Sequence, residues 1–119
     1  MVPKVSINIL NWNQASDTIE CLTSCQNIDY WNYELLVIDN SSTDGSPEFI
    51  RPKFPNIQFI KTEQNLGYAG GNNVGIKHAL KRGADFVLIL NNDLVVESNL
   101  IKELVNTFVN DPKVGLAAP

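Results

Sequence analysis

Glu34-Leu-Leu-Val-Ile-Asp39, which runs directly into Asn-Ser-Ser-Thr-Asp-Gly45, is the stretch of sequence that decides the fold. The residues between Glu34 and Asp39 are apolar without alternation, which is typical of a parallel strand covered by helices on both faces. The residues that follow are turn formers. The stretch therefore predicts a buried strand whose carboxyl end opens into a polar loop.

Similar apolar runs alternate with helical patterns along the whole chain. The predicted strands are residues 5–10, 34–39, 57–61, 86–90 and 114–118. Helices are predicted behind Asn13 as N-cap, behind Ser46-Pro47, from Gly70 to Arg82, and behind Ser98 through the apolar stripe from Leu100 to Val109. Because parallel neighbours need crossover helices, the pattern predicts an α/β fold with a mostly parallel sheet in the order 3-2-1-4 and helices on both faces.

Three polar segments follow predicted strands, at residues 11–13, 39–44 and 91–93. In the order 3-2-1-4 the switch point lies between the first and fourth strands, where open α/β sheets bind ligands beyond the carboxyl ends. Asp39 could accept a hydrogen bond from the imide N–H of uracil or thymine. Asp93 could hold Mg²⁺ or Mn²⁺ together with diphosphate oxygens. A turn or helix cap explains each of these acids equally well when it is taken alone.

Asn65-Leu-Gly-Tyr-Ala-Gly-Gly-Asn-Asn-Val-Gly75 is unusually rich in glycine. Its spacing fits neither the dinucleotide fingerprint nor the P-loop. Gly70 and Gly71 at a helix start would let an anion approach free backbone N–H groups. A flexible loop is the alternative interpretation.

Composition excludes several classes of protein. The chain has 119 residues and a net charge of −4, with 44% hydrophobic residues, which predicts one soluble globular domain. Without a stripe of Lys or Arg, a nucleic-acid partner is not expected. Without a signal peptide or a long apolar run, the expected location is cytoplasmic, at the inner face of the membrane if a longer parent protein is anchored there. Cys21 and Cys25 are expected to pack as small hydrophobic residues.

Four segments together resemble family-2 glycosyltransferases of the GT-A, Rossmann-like fold. They are Asn11-Trp-Asn13, residues 37–46, residues 65–75 and Leu90-Asn-Asn-Asp93, and they occur in the order and spacing of that family. The Asn-Asn-Asp variant resembles the rhamnosyltransferase-like branch.

The resemblance implies a nucleotide-diphospho-sugar donor, UDP- or dTDP-linked, and hexosyl or rhamnosyl transfer to a glycan or lipid-linked acceptor. It implies one metal ligand, Asp93, for Mg²⁺ or Mn²⁺. Asn91 stands where many relatives carry a carboxylate, so the metal site has one negative charge less. The resemblance and the residue patterns together indicate the candidate nucleotide-binding residues, which are Asn11, Trp12, Asn13, Asp39, Asp44, Gly70 and Asn91.

No catalytic base is assigned, because the resemblance places it downstream, in an acceptor-binding part. Residues 1–119 are therefore expected to be the nucleotide-sugar-binding part of a GT-A domain, which binds donor without transferring sugar. An unpaired sheet edge would favour homo-oligomers. The alternative is a non-catalytic nucleotide-binding or interaction module. A receiver-like signalling domain fits less well, since Lys113 precedes the last predicted strand instead of following it.

Overall fold

Strands and helices alternate in a computed structural model that describes residues 2–111 and 113–117. A short 3₁₀ turn, Arg51–Lys53, follows the second helix. The elements are β1 (Val5–Asn11), α1 (Ala15–Cys25), β2 (Tyr33–Asp39), α2 (Ser46–Ile50), β3 (Gln58–Lys61), α3 (Gly67–Lys81), β4 (Phe86–Leu90) and α4 (Leu100–Asn110).

The strands form one sheet in the order β3-β2-β1-β4, with every pair parallel, which confirms the predicted fold class and order. The register places Asn11 beside Asp39 and Ile9 beside Leu90. The polar segments after β1, β2 and β4 therefore meet at one edge of the sheet.

The sheet lies between two unlike layers. On one face, apolar side chains of β1 and β2 pack against α1, α2 and α4 in a buried cluster that includes Ile7, Ile9, Val37, Leu22 and Ile101. The buried free thiols of Cys21 and Cys25 belong to this cluster, which confirms their expected packing role. On the other face lies α3, which contacts β1 and β2.

Helix α3 reaches the sheet through its glycines. A Cβ added at Gly71 would lie 2.6 Å from Cδ1 of Leu10, and one added at Gly75 would lie 2.6 Å from Cδ1 of Ile38. A side chain at either position would force the strand side chains or the helix itself to move, because the interior is closely packed. The glycine-rich segment is thus mainly a packing surface.

Three predicted helix starts are wrong by one residue. Asn13 has a φ of 54°, so its side chain turns to the neighbouring loop and Gln14 is the N-cap of α1. Ser46 is the first residue of α2, behind Gly45 with a φ of 80°. Asn99 precedes α4 in place of Ser98, whose carbonyl accepts a hydrogen bond from Asp29 N–H at 2.8 Å.

The predicted fifth strand is not formed at residues 114–117, and residue 118 lies outside the described residues. Asp111 turns the chain after α4, since its carbonyl accepts Val114 N–H and its carboxylate accepts Lys113 N–H, both at 3.1 Å. Residues 115–117 then line a cavity of about 240 Å³ between β4 and α4. Within the described residues, no helix is both long enough and apolar enough to cross a bilayer.

Candidate functional site

Asp39 ends β2 and is completely buried. Its Oδ1 accepts hydrogen bonds from Asn11 Nδ2 at 2.9 Å and from Ser42 Oγ at 2.7 Å. Its Oδ2 accepts the Ser42 N–H at 3.0 Å. The carboxylate therefore stabilises the turn after β2 and fastens it to β1, which is the turn-capping role that the sequence left open.

Asn11 and Asn13 fix the end of β1 in the same way. Asn11 is completely buried, and its Oδ1 accepts the hydroxyl of Thr18 at 2.6 Å. Asn13 uses its left-handed backbone to turn its Oδ1 towards the N–H groups of Thr43, at 2.8 Å, and Asp44, at 3.2 Å. Both side chains thus hold the 42–44 loop in place.

Asp44 has its carboxylate at the start of α2. Its Oδ1 accepts the hydroxyl of Ser46 at 2.5 Å and the Ser46 N–H at 2.9 Å. These hydrogen bonds hold the pKa of the Asp44 carboxyl below its usual range, and the bond from the Ser46 hydroxyl has the larger effect. The group is ionised at neutral pH and lies on the exposed surface of the loop.

Other candidates face solvent at the same edge. Trp12 is half exposed, and Asn91 and Asp93 are exposed. The hydroxyl of Tyr68, in the first turn of α3, donates to Asn91 Oδ1 at 3.3 Å. This contact leaves the amide N–H groups of Asn91 as its free donors.

Cys21 of α1 contacts the loop after β4 from below, since its thiol donates to the carbonyl oxygen of Asn91 with a sulfur–oxygen distance of 3.8 Å. A hydrogen bond with Cys25, together with burial, raises the pKa of the Cys21 thiol. The group therefore stays protonated and acts as a donor.

Asp93 offers an exposed carboxylate to a cation in the loop after β4. Among residues 2–111 and 113–117, no group of three His, Cys, Asp or Glu side chains is arranged to hold a metal ion. This arrangement fits Mg²⁺ or Mn²⁺, which commonly take one or two carboxylates and complete their shell with substrate phosphates and water.

The predicted role of Gly70 as a helix start is wrong. Helix α3 begins at Gly67, because side-chain oxygens of Asn40 and Asn65 accept the N–H groups of Leu66, at 2.9 Å, and Gly67, at 2.8 Å. Gly70 is the fourth helical residue, where the N–H belongs to the helix's own ladder. A Cβ there would lie 2.9 Å from the Cβ of Leu66, so tight packing explains this glycine.

Sequence reasoning missed the residues that hold the loops together. Asn92, in the loop after β4, donates through Nδ2 to Gln14 Oε1 and to Thr18 Oγ1, both at 3.1 Å. The only sequence signal for Thr18 was a polar residue on the otherwise apolar stripe of α1. Gln14 and Thr18 lie outside the segments that the sequence singled out. The residues inside those segments that received no individual role are Asn40, Ser42, Tyr68 and Asn92.

An open parallel sheet with polar loops at its switch point is the architecture of nucleotide-binding α/β domains. Residues 6–118 match the family model described as glycosyl transferase family 2. The chain belongs to this family, and the expected class of protein is confirmed.

Curated relatives agree with this assignment. The chain is 33% identical to a poly-beta-1,6-N-acetyl-D-glucosamine synthase of Staphylococcus aureus over 84% of its own length and 24% of that protein. It is 31% identical to a low-salt glycan biosynthesis hexosyltransferase of Haloferax volcanii, over 87% of the chain and 32% of that protein. The chain thus spans about a quarter to a third of the length of these relatives.

Solved structures confirm the GT-A fold. The mannosyltransferase PcManGT of Pyrobaculum calidifontis, in complex with GDP-Man and Mn²⁺, superposes with a TM-score of 0.85 at 25% identity, over 97% of this chain and 34% of that one. TarS 1–349 of S. aureus, in complex with UDP-GlcNAc, gives a TM-score of 0.79 at 23% identity, over 98% and 37% of the two chains.

Proposed function

We propose that residues 1–119 are the nucleotide-sugar-binding part of a family-2 glycosyltransferase. The observation that carries this proposal is the position of the exposed aromatic and polar side chains. Trp12, Tyr68, Asn91 and Asp93 lie exposed in or beside the loops at the switch point, while the neighbouring polar groups are occupied in holding those loops. Aromatic faces suit a nucleobase or sugar, and free amide and carboxylate groups suit hydroxyl groups and a cation.

The proposed metal ligand is Asp93, and the proposed ribose contact is the amide of Asn91. A divalent ion bound there would neutralise the charge that gathers on the departing diphosphate. Asn91 would donate to a ribose hydroxyl, since its oxygen already accepts from Tyr68 at 3.3 Å. The Mn²⁺ in the PcManGT complex supports this proposal.

For the nucleobase we propose uracil or thymine, with Asp39 as acceptor of the ring N–H. One oxygen of Asp39 accepts a single hydrogen bond, and a carboxylate oxygen has room for two. Because the carboxylate is fully buried, this contact requires a displacement of Ser42. The UDP-GlcNAc bound by TarS supports a pyrimidine donor, whereas PcManGT is in complex with a guanine nucleotide.

Further assignments concern the branch of the family, the acceptor and the transfer step. The sequence Asn91-Asn92-Asp93 supports the rhamnosyltransferase-like branch. A glycan or lipid-linked acceptor is supported by the polysaccharide and glycan biosynthesis in the names of the relatives. Cytoplasmic location and homo-oligomer formation stay predictions. In the described residues after Asp93 the carboxylates are Glu97, in the loop that precedes α4, and Glu103 and Asp111, on or after that helix. Only Glu97 shares the loop of Asp93, and none of the three is assigned as a base, so we propose binding without transfer for this chain.

Calorimetric titration of the chain with UDP, dTDP and GDP, each with and without Mn²⁺, tests the proposal. We expect Mn²⁺ to tighten UDP binding to the wild type and to Glu20→Gln, which removes an exposed charge from the middle of α1. We expect no such gain for Asp93→Asn. A folded chain that binds none of the nucleotides contradicts the proposed function, and an unchanged Mn²⁺ effect in Asp93→Asn contradicts the metal site alone.

Asp39→Asn tests the proposed nucleobase contact. The variant keeps the shape of the side chain but weakens acceptance of the ring N–H, which should cost UDP and dTDP about 1.5–3 kcal/mol of binding free energy and leave GDP unchanged. Thermal unfolding of the variant is measured first, because Asp39 also holds the turn after β2. Equal losses for pyrimidine and purine nucleotides would show that the carboxylate acts only on the loop.

A further inference from the structure

Thr18 is a polar side chain on the buried face of α1. It has no exposed surface, and its buried neighbours on this face are Cys21, Leu22 and Cys25. Its hydroxyl donates to Asn11 Oδ1 at 2.6 Å and accepts from Asn92 Nδ2 at 3.1 Å. A valine would fill the same space without either bond, so packing alone does not explain a hydroxyl here.

The hydrogen bonds through Thr18 all run in one direction. Because the hydroxyl gives its proton to Asn11 Oδ1, the amide of Asn11 turns its Nδ2 to Asp39, which accepts at 2.9 Å. The row of hydrogen bonds therefore runs from Asn92 through Thr18 and Asn11 to the carboxylate of Asp39. Its negative end favours this direction, and hydrogen bonds in such a chain polarise and strengthen one another.

This row of hydrogen bonds crosses the centre of the proposed site. Asn92 belongs to the loop that carries the proposed metal ligand, and Asp39 is the proposed nucleobase contact. The two lie on opposite sides of β1, and α1 supplies the hydroxyl between them. The same Nδ2 of Asn92 also donates to Gln14 Oε1 at 3.1 Å, which fixes the orientation of the amide.

We infer that Thr18 is a positioning residue that couples the nucleobase side of the site to the metal-binding loop. The inference rests on the proposed function, because it needs a nucleotide at Asp39 and a cation at Asp93. Displacement of Ser42 by a nucleobase changes the hydrogen bonds at Asp39. The row of hydrogen bonds through Asn11 and Thr18 carries this change to the side chain of Asn92. This coupling adds to the direct contact between the cation and the diphosphate, so that part of the factor by which nucleotide and Mn²⁺ strengthen each other depends on the Thr18 hydroxyl.

The matched variants are Thr18→Val, which removes the hydroxyl and keeps the shape, and Thr18→Ser, which keeps the hydroxyl. For each we measure the ratio of the dissociation constants for UDP in chelator and in Mn²⁺. Thr18→Val should lower this ratio at least about fivefold, the low end of typical coupling between sites, and Thr18→Ser should keep it. Asn92→Ala removes the outer donor from a partly exposed position, so it should lower the ratio equally without opening a buried gap.

The outcomes separate the two proposals. A wild-type chain that binds UDP more tightly with Mn²⁺, together with an unchanged ratio in Thr18→Val and Asn92→Ala, overturns the coupling and keeps the proposed function. A wild-type chain with no nucleotide binding overturns the proposed function itself. Loss of affinity by the same factor with and without Mn²⁺ would show a structural role alone and would also overturn the coupling. If Thr18→Val fails to fold, Asn92→Ala decides.

Discussion

The two faces of the sheet are packed differently. Towards α1, α2 and α4, large side chains such as Ile7, Ile9 and Leu22 interlock without any exposed surface. Towards α3, the helix backbone lies on the strands, and the interface contains polar groups. Asn8 Nδ2 and both polar atoms of the Asn72 amide are buried there without a hydrogen-bond partner in the described part of the chain.

The difference shows that one face supplies stability and the other places the site. The glycines of α3 let its first turn come close to the carboxyl ends of the strands. There Asn40 Nδ2 donates to the Gly67 carbonyl at 3.0 Å, and Tyr68 reaches Asn91. A thicker layer of side chains under α3 would lift its first turn away from these contacts.

The largest effect is expected for Leu22→Ala, on the apolar face. Loss of a buried leucine leaves a cavity, which should lower the free energy of unfolding by about 2–5 kcal/mol. The control is Leu80→Ala in α3, where the leucine is exposed and the change should stay within about 0.5 kcal/mol. Urea denaturation measures both. Equal losses would break the comparison between the faces.

Gly75→Ala should destabilise the protein by overpacking, whereas Leu22→Ala leaves a cavity. The added Cβ would lie 2.6 Å from Cδ1 of the fully buried Ile38, and overpacking of this kind costs about 1–3 kcal/mol. Gly115→Ala is the control, since no described residue other than its chain neighbours has an atom within 4 Å of its Cβ position. Adding Ile38→Val removes the clashing methyl, so the double variant should regain part of the loss. A neutral Gly75→Ala would show that α3 does not need its close approach.

Asn72→Leu should stabilise the chain by about 1 kcal/mol, because it removes a buried amide that has no partner and keeps a similar shape. Asn73→Leu, at the exposed neighbouring position, should give no gain. Urea denaturation of both variants decides. A loss of stability in Asn72→Leu would mean that a water molecule or ligand satisfies this amide in solution.

The smallest effect is expected at the far end of α3. Arg82 Nη2 and Nε donate to Glu34 at 2.7 and 3.0 Å, and these bonds, with Lys4 nearby, hold the pKa of the Glu34 carboxyl below its usual range. A carboxyl group whose pKa is lowered on folding stabilises the folded protein at pH values above the ordinary glutamate pKa, about 4.3. This contribution disappears as the pH falls through the lowered pKa.

Glu34→Gln should therefore cost less than about 1 kcal/mol at pH 7, as is usual for ion pairs near the surface. The difference from the wild type should shrink as the pH falls from about 4.3 through the lowered pKa of Glu34, where the wild-type side chain becomes neutral as well. Chemical unfolding at a series of pH values measures it. A difference that grows at low pH would contradict the assigned ion pair.

Prediction and structure agree where an element depends on residues close together in sequence, and they differ where it depends on distant residues. Strand Phe86–Leu90 and the strand order were predicted because apolar runs and their spacing are visible in short windows. Helix starts were displaced because the caps are tertiary: Asn40, far from α3 in sequence, holds its first turn. The fifth strand failed at residues 114–117, where hydrogen bonds to Asp111 turn the chain away.

By itself the sequence determined the α/β class, the family and the edge of the sheet where the polar segments meet, because these depend on local composition and motif order. Only the tertiary structure decided which polar groups are free to bind. Asp39 and Asn11 are 28 residues apart, yet they are neighbours in the parallel register and use each other's hydrogen-bonding capacity. A buried polar group must find its partner inside the fold, so the contacts of Thr18, Asn11 and Asp39 became visible only once β1, β2 and α1 had packed.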